Sequence, residues 1–147
     1  LQLIPVFGWY LMKNKQVSVD RGAGAKALKS LLRGARAAAD AGRQIVIFPE
    51  GTRVHPGKKL PYRPGVAALY GGLGLPVTPV VHNSGLCWPK RSFRKYAGTI
   101  VLRFLPPIES GLERQEFMAR LESVMETASD ELMAETDKFQ NGTSTEH

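Results

Sequence analysis

Apolar residues return at helical spacing in two stretches of the chain and run together in several others. Between residues 24 and 41, Ala27, Leu28, Leu31, Leu32, Ala35, Ala38 and Ala39 recur every three or four positions, with Lys26, Lys29, Arg33 and Arg36 between them. That spacing predicts an amphipathic helix, and Gly42 is suited to stop it. A second stripe, Phe117, Leu121, Val124, Met125, Ala128, Leu132 and Met133, predicts a long helix from Leu112 to about Phe139. Gly65 to Leu73 reads as a short helix with Pro64 in its first turn. The uninterrupted runs read as strands. Gln44–Phe48 is a continuous apolar run with β-branched residues at its centre, as in a strand covered on both faces. Val77–Val81 contains Pro79, which suggests an edge or an irregular strand end. Gly98–Leu105 and the short Gln16–Val19 complete the set. Four prolines and two glycines make 49–64 a loop. Leu1–Met12 is apolar and aromatic but broken by Pro5 and Gly8, and it is too short to span a bilayer. It suits a buried segment or an interfacial one.

The predicted order is strand, helix, strand, helix, strand, strand, helix, an α/β layout. We expect a mixed, largely parallel sheet flanked by helices and incomplete at the N-terminus. With 147 residues the prior is one domain, here 1–140, followed by a polar tail at 141–147. A hydrophobic fraction of 43% and a charged fraction of 22% exclude a disordered chain, a collagen and a coiled coil. A single cysteine, Cys87, excludes an internal disulfide framework. The sequence opens on Leu1 without a Met or a basic n-region, so we expect a fragment of a longer chain rather than a signal peptide.

Charge is divided unevenly. Residues 1–108 hold 17 Lys and Arg against Asp20, Asp40 and Glu50, a net of +14; residues 109–147 hold 3 against 10 acidic residues, a net of −7. The basic residues concentrate at Arg53, Lys58, Lys59 and Arg63, and again at Lys90, Arg91, Arg94, Lys95 and Arg103. Such stretches suit phosphorylated small molecules, anionic lipid or nucleic acid, or simply a solvated basic face. Few aromatic residues interleave with them, which counts against nucleic acid.

Three short patterns could carry chemistry. Phe48-Pro49-Glu50-Gly51-Thr52-Arg53 follows directly on a predicted strand, where ligands gather in open α/β sheets. Gly51 permits close backbone approach, Thr52 offers a hydroxyl, and Arg53 a planar fork for phosphate or carboxylate. Glu50 could orient Arg53 or bind a hydroxyl. The plain alternative is a proline-glycine turn with a surface ion pair. Val17-Ser18-Val19-Asp20-Arg21 again ends a strand in a charged pair. Leu75-Pro76-Val77-Thr78-Pro79-Val80 leads into His82, a lone histidine that is more often structural than a general base. No Gly-x-Ser-x-Gly elbow, Walker A loop or dinucleotide fingerprint occurs, and three scattered histidines with one cysteine make no zinc site.

In this order the three patterns resemble the conserved blocks of the PlsC-type glycerolipid acyltransferases, in particular those that acylate 1-acyl-glycerol-3-phosphate. Phe48 to Arg53 is similar to that family's Phe-Pro-Glu-Gly-Thr-Arg block. Val19-Asp20-Arg21 looks like the end of its Phe-Ile-Asp-Arg block, with Ser18 where the family prefers a larger apolar residue. Pro76 to Val80 looks like its Val-Pro-Val-x-Pro strand, and Leu3 to Trp9 like the segment before the second block. The resemblance implies a glycerol-3-phosphate acyltransferase-like fold and transfer of an acyl group from acyl-CoA or acyl carrier protein to the acceptor's free hydroxyl. The product would be phosphatidic acid, a step of phospholipid biosynthesis. Asp20, Arg21, Glu50, Gly51, Thr52 and Arg53 would hold the acceptor phosphate, and Pro76, Val77, Thr78 and Pro79 would lie near the donor. The family's general base belongs to a His-x4-Asp block. Here Leu60 follows five residues after His55 and Cys87 five after His82, so neither fits. The expectation is that this block stands N-terminal to Leu1 and that 1–147 alone is inactive. No metal or cofactor is implied. The partners would be lysophosphatidic acid, the acyl donor and an anionic membrane surface on its cytoplasmic face, with no nucleic acid. The alternatives are a related acyltransferase with another acceptor (glycerol-3-phosphate, a lysophospholipid or an amino-acid lipid) and a non-catalytic module for anionic lipid.

Overall fold

The computed structural model describes residues 24–55, 57–89 and 92–142. The strand expected at 16–19, the segment 1–12, and Asp20 and Arg21 lie outside the described residues. The chain divides into two compact units, Leu1–Val46 and Ile47–His147.

In the first unit, α1 (Gly24–Asp40) forms where the periodicity places it. Ala35 and Ala38 are buried, Ala27, Leu28, Leu31, Leu32 and Ala39 half-buried, and Lys26, Lys29, Arg33 and Arg36 exposed. Its end is a Schellman cap. Gly42 takes a positive φ of 67°, its N–H donates to the Ala39 carbonyl, and the Arg43 N–H donates to that of Ala38. The run that follows, Gln44–Phe48, is not a strand. No described residue pairs with it, and Val46 and Phe48 are exposed. A β-prone run forms a ladder only where a neighbour takes its N–H and C=O groups, and no described residue does so here.

The second unit is built around α2 (Pro64–Leu73) and α4 (Arg114–Gly142). Val66, Ala67 and Tyr70 of α2 meet Phe117 and Leu121 of α4, with Tyr62 and Ile108 completing the cluster. Tyr70 stacks flat on Phe117, ring centroids 3.8 Å apart and planes within 4°. Its hydroxyl donates to the Glu109 carbonyl and accepts the Leu112 N–H, tying the entry of α4 to α2. A buried tyrosine is stable there because its polar tip has both partners.

Beside this core lies a two-stranded sheet of β1 (Val80–His82) and β2 (Leu102–Phe104), joined by a stretch that includes the single helical turn α3 (Ser84–Cys87). The pairing is antiparallel, Val80 opposite Phe104 and His82 opposite Leu102. Among the described residues the sheet is therefore a small antiparallel pair and not the largely parallel one expected. Parallel neighbours need a long crossover, usually a full helix, whereas the 83–101 connection turns the chain back on itself. The strands are also shorter than the apolar runs that suggested them. A bridge pairs Val77 with Ile108, so Thr78 and Pro79 stand opposite Leu105, Pro106 and Pro107. That extra residue is a bulge beside Pro79, which has no N–H to offer the ladder but whose carbonyl accepts the Leu105 N–H at 2.9 Å.

Among the described residues, one face of the sheet is covered. Val81 packs on Ala128 and Leu132 of α4. Its neighbour Arg103 pairs with Glu131 and Glu135 on the same helix. Leu102 and Phe104 point the other way and are exposed. Asn83, buried just beyond β1, accepts the Val101 N–H and donates to the Thr99 carbonyl and the Thr136 hydroxyl, holding the returning chain to α4.

Candidate functional site

Phe48 to Arg53 forms a tight turn rather than a strand exit. The Gly51 N–H donates to the Phe48 carbonyl at 3.0 Å, closing four residues with proline second and glycine last. Gly51 has a φ of 67°, which side-chain-bearing residues adopt at a cost. A Cβ there would also come within 3.3 Å of the Arg63 side chain. The Pro49 carbonyl accepts the Arg63 N–H at 2.8 Å, and Arg63 is the extended residue preceding α2. The turn is thus moored to the start of a core helix.

The loop that follows is fastened to α4. Lys59 reaches Glu126 at 3.0 Å and Asp130 at 2.9 Å, and these hydrogen bonds, Asp130 first, hold its ammonium above the ordinary lysine range. Tyr62 donates to the Glu126 carboxylate at 3.2 Å. Burial pushes its phenol well above the ordinary tyrosine value, with the negative charges of Glu126, Glu50 and Glu122 adding to the effect. Glu50 is therefore close enough to be felt at Tyr62 and is half-buried.

Arg53 emerges from this frame exposed. It lines a cleft of about 570 Å³ with Trp88, Ser92, Phe93 and Lys95. Two cations of the two basic stretches thus meet at one cavity, and among the described residues neither has an ion pair. A pair of cations beside aromatic walls suits an anion carried on an apolar body. Thr52, which precedes Arg53, is exposed.

The remaining expected residues stand elsewhere. Asp20 and Arg21 are outside the described residues, so their convergence with Arg53 is not described either. Pro76, Val77, Thr78 and Pro79 do not line this cleft. Val77 exchanges two backbone hydrogen bonds with Ile108, Pro79 is buried, and Pro76 and Thr78 are exposed. His82 is exposed, its Nδ1 2.8 Å from the Ser84 hydroxyl, a local strand-end contact. Among the described residues no three His, Cys, Asp or Glu side chains are grouped to hold a metal ion. Trp88 and Phe93 are not among the site residues expected from sequence, where aromatic residues interleave sparsely with basic ones. The signal was present in Trp88, Phe93 and Tyr96, each within two residues of a lysine or arginine.

Comparison with known proteins bears on the whole arrangement. A family model described as acyltransferase matches residues 1–83. A 1-acyl-sn-glycerol-3-phosphate acyltransferase of Pseudomonas aeruginosa is 36% identical over 95% of this chain and 54% of its own length. Enzymes of the same name from Cocos nucifera and Limnanthes douglasii are 33% and 30% identical, each over 72% of this chain and 35% and 38% of their own lengths. The chain thus spans about half of the bacterial relative and little more than a third of the plant ones. No solved structure matches it. The family match takes in the moored Phe48–Arg53 turn and the strand that ends at His82, and on it the chain belongs to the acyltransferase family.

Proposed function

We propose that this acyltransferase moves an acyl group from a thioester donor to the free hydroxyl of 1-acyl-glycerol-3-phosphate, giving phosphatidic acid. The observation that carries the reading is the exposed Arg53 guanidinium, which shares a cleft with Lys95. Similarity to enzymes named for this activity supports it. Arg53 would grip the acceptor phosphate, with Arg21 as a second fork and Asp20 to orient it. Glu50, Gly51 and Thr52 would shape the turn beneath. Such charge-assisted bonds are roughly twice as strong as neutral ones.

In the reaction, the acceptor hydroxyl loses its proton to a histidine base as its oxygen attacks the thioester carbonyl. The carbon–sulfur bond breaks, and the departing thiolate takes the proton back. The base would be the His-x4-Asp histidine, and Pro76 to Pro79 would lie on the donor side. Acyl-CoA and acyl carrier protein both fit this chemistry as donors. The enzyme would work at a membrane surface on its cytoplasmic side. Among the described residues no helix is long and apolar enough to cross a membrane.

In the full-length protein, Arg53→Ala should lower kcat/KM for the acceptor about 10- to 100-fold, the loss of one hydrogen-bonded charge. The donor KM should stay unchanged. An unaltered acceptor KM would remove Arg53 from the phosphate site. Parallel assays with glycerol-3-phosphate, a lysophospholipid and an amino-acid lipid decide the acceptor class, and paired assays with acyl-CoA and acyl carrier protein decide the donor.

A further inference from the structure

Trp88 and the stretch from Ser92 to Tyr96, which share the cleft with Arg53, have features beyond what phosphate binding requires. The Tyr96 N–H donates to the Cys87 carbonyl at 2.8 Å. The Ser92 hydroxyl accepts the Arg94 N–H at 3.0 Å and braces the turn. On this frame the Phe93 side chain is wholly exposed, at 104% of its free area, and Trp88 and Tyr96 are 54% and 51% exposed. Rings held out in water in this way do nothing for the packing of the described fold. Cations sit over two of them: Lys95 Nζ lies 4.5 Å from the Trp88 ring centre, and the Arg94 guanidinium 5.7 Å from that of Tyr96. Among the described residues neither cation has an ion pair, whereas Lys59 and Arg103 are neutralised by α4.

We propose that Trp88 and the Ser92–Tyr96 stretch dock on a bilayer surface carrying anionic headgroups. Phe93 enters below the headgroups, Trp88 and Tyr96 sit among them, and Arg94 and Lys95 meet the phosphates. Amphipathic rings favour the membrane–water boundary, and cations near an anionic leaflet are attracted to it. A single-stranded nucleic acid needs free ring faces for its bases, and here cations already lie over Trp88 and Tyr96. An acidic carrier protein would use the charges but would leave Phe93 in water. The inference deepens the acyl-transfer reading and rests on it in one respect. Arg53 opens into the same cleft as Trp88 and Phe93, so docking brings that cleft to the level at which a lysolipid phosphate lies.

The test is co-sedimentation of the full-length protein with phosphatidylcholine vesicles, with and without phosphatidylglycerol, together with fluorescence quenching by brominated acyl chains. The share of quenching lost in Trp88→Phe reports on Trp88 itself. Trp88 should be quenched, and Phe93→Ser should weaken partitioning about tenfold, the loss of one buried phenyl group. Arg94→Gln with Lys95→Gln should abolish the preference for anionic vesicles. Unquenched Trp88 with undiminished binding of Phe93→Ser overturns the proposal. So does an indole that responds to acyl carrier protein or single-stranded RNA but not to vesicles. Acyl transfer is measured in parallel with acceptor dispersed in detergent. Transfer without Trp88 quenching overturns the docking alone. Quenching without transfer to any acceptor leaves the docking standing and removes the acyl-transfer reading.

Discussion

Tyr70 and Trp88 are both large aromatic residues of the second unit, and they are held in opposite ways. Tyr70 is buried, lies flat on Phe117, and has a partner for each side of its hydroxyl. Trp88 is more than half exposed, has a lysine over its ring, and lines a cleft. The first belongs to a region where apolar stripes on two helices decide the structure. The second belongs to a region built from turns, where backbone hydrogen bonds fix the chain and leave the side chains unspent. Residues that must meet a ligand cannot also be consumed by packing. Arg53, Phe93 and Lys95 all come from the turn-built side.

Phe117→Ala should break the packed side most severely. Phe117 is fully buried and stacked, and removing a ring from such a position costs about 3–5 kcal/mol through lost transfer free energy and a residual cavity. Denaturant unfolding should show this as a large fall in midpoint. Phe93→Ser should stay within about 0.5 kcal/mol of the parent in the same experiment, as surface changes do. Equal losses at the two phenylalanines would abolish the contrast.

That contrast also decides what could be read from the sequence. The helices were legible because their apolar spacing is local. α1 and α4 fall within two or three residues of the positions their stripes imply, and α2 starts on the Pro64 expected in its first turn. The sheet was not. An apolar run such as Gln44–Phe48 or Gly98–Leu105 fixes neither its partner nor its direction. Strand pairing is a long-range choice, made here by Asn83, Pro79 and the bulge within Leu105–Pro107. The Phe48–Arg53 turn was legible as a pattern, since proline and glycine have backbone reasons to stand where they do. Lys95, which shares the cleft, is one charge among several in the sequence, and although Trp88 and Phe93 stand beside basic residues, nothing local says that they face the same cleft as Arg53.

The turn itself is sharpened by Gly51→Ala. A side chain at φ 67° costs about 1–2 kcal/mol, and the new methyl must displace Arg63. Stability should fall by that amount. Acceptor use should fall further than stability alone explains, because the turn that carries Arg53 has moved. Intact acceptor kinetics in a destabilised Gly51→Ala protein would show that the turn serves the fold and not the ligand.

The smallest effect lies at the seam of the two regions. Tyr62 is buried against the core while its hydroxyl and the nearby Lys59 hold the site loop to α4. Both groups have folded-state pKa values raised above their ordinary 10.0 and 10.5. Their contribution is fully present below those values. As pH rises past about 10 the unfolded chain releases protons that the folded chain still holds, so stability falls with each further step. At pH 7 Tyr62→Phe should cost about 1 kcal/mol, one phenol–carboxylate hydrogen bond. Its thermal midpoint should then decline less steeply than the parent's between neutral pH and the alkaline range. Added salt separates the two groups, because Lys59 is solvated and screened, whereas the Tyr62 shift comes chiefly from burial. The alkaline slope lost in Tyr62→Phe should therefore be insensitive to salt, and the slope that remains should shrink with it. Identical pH profiles for parent and variant would mean that the phenol does not fasten the site loop to the helix.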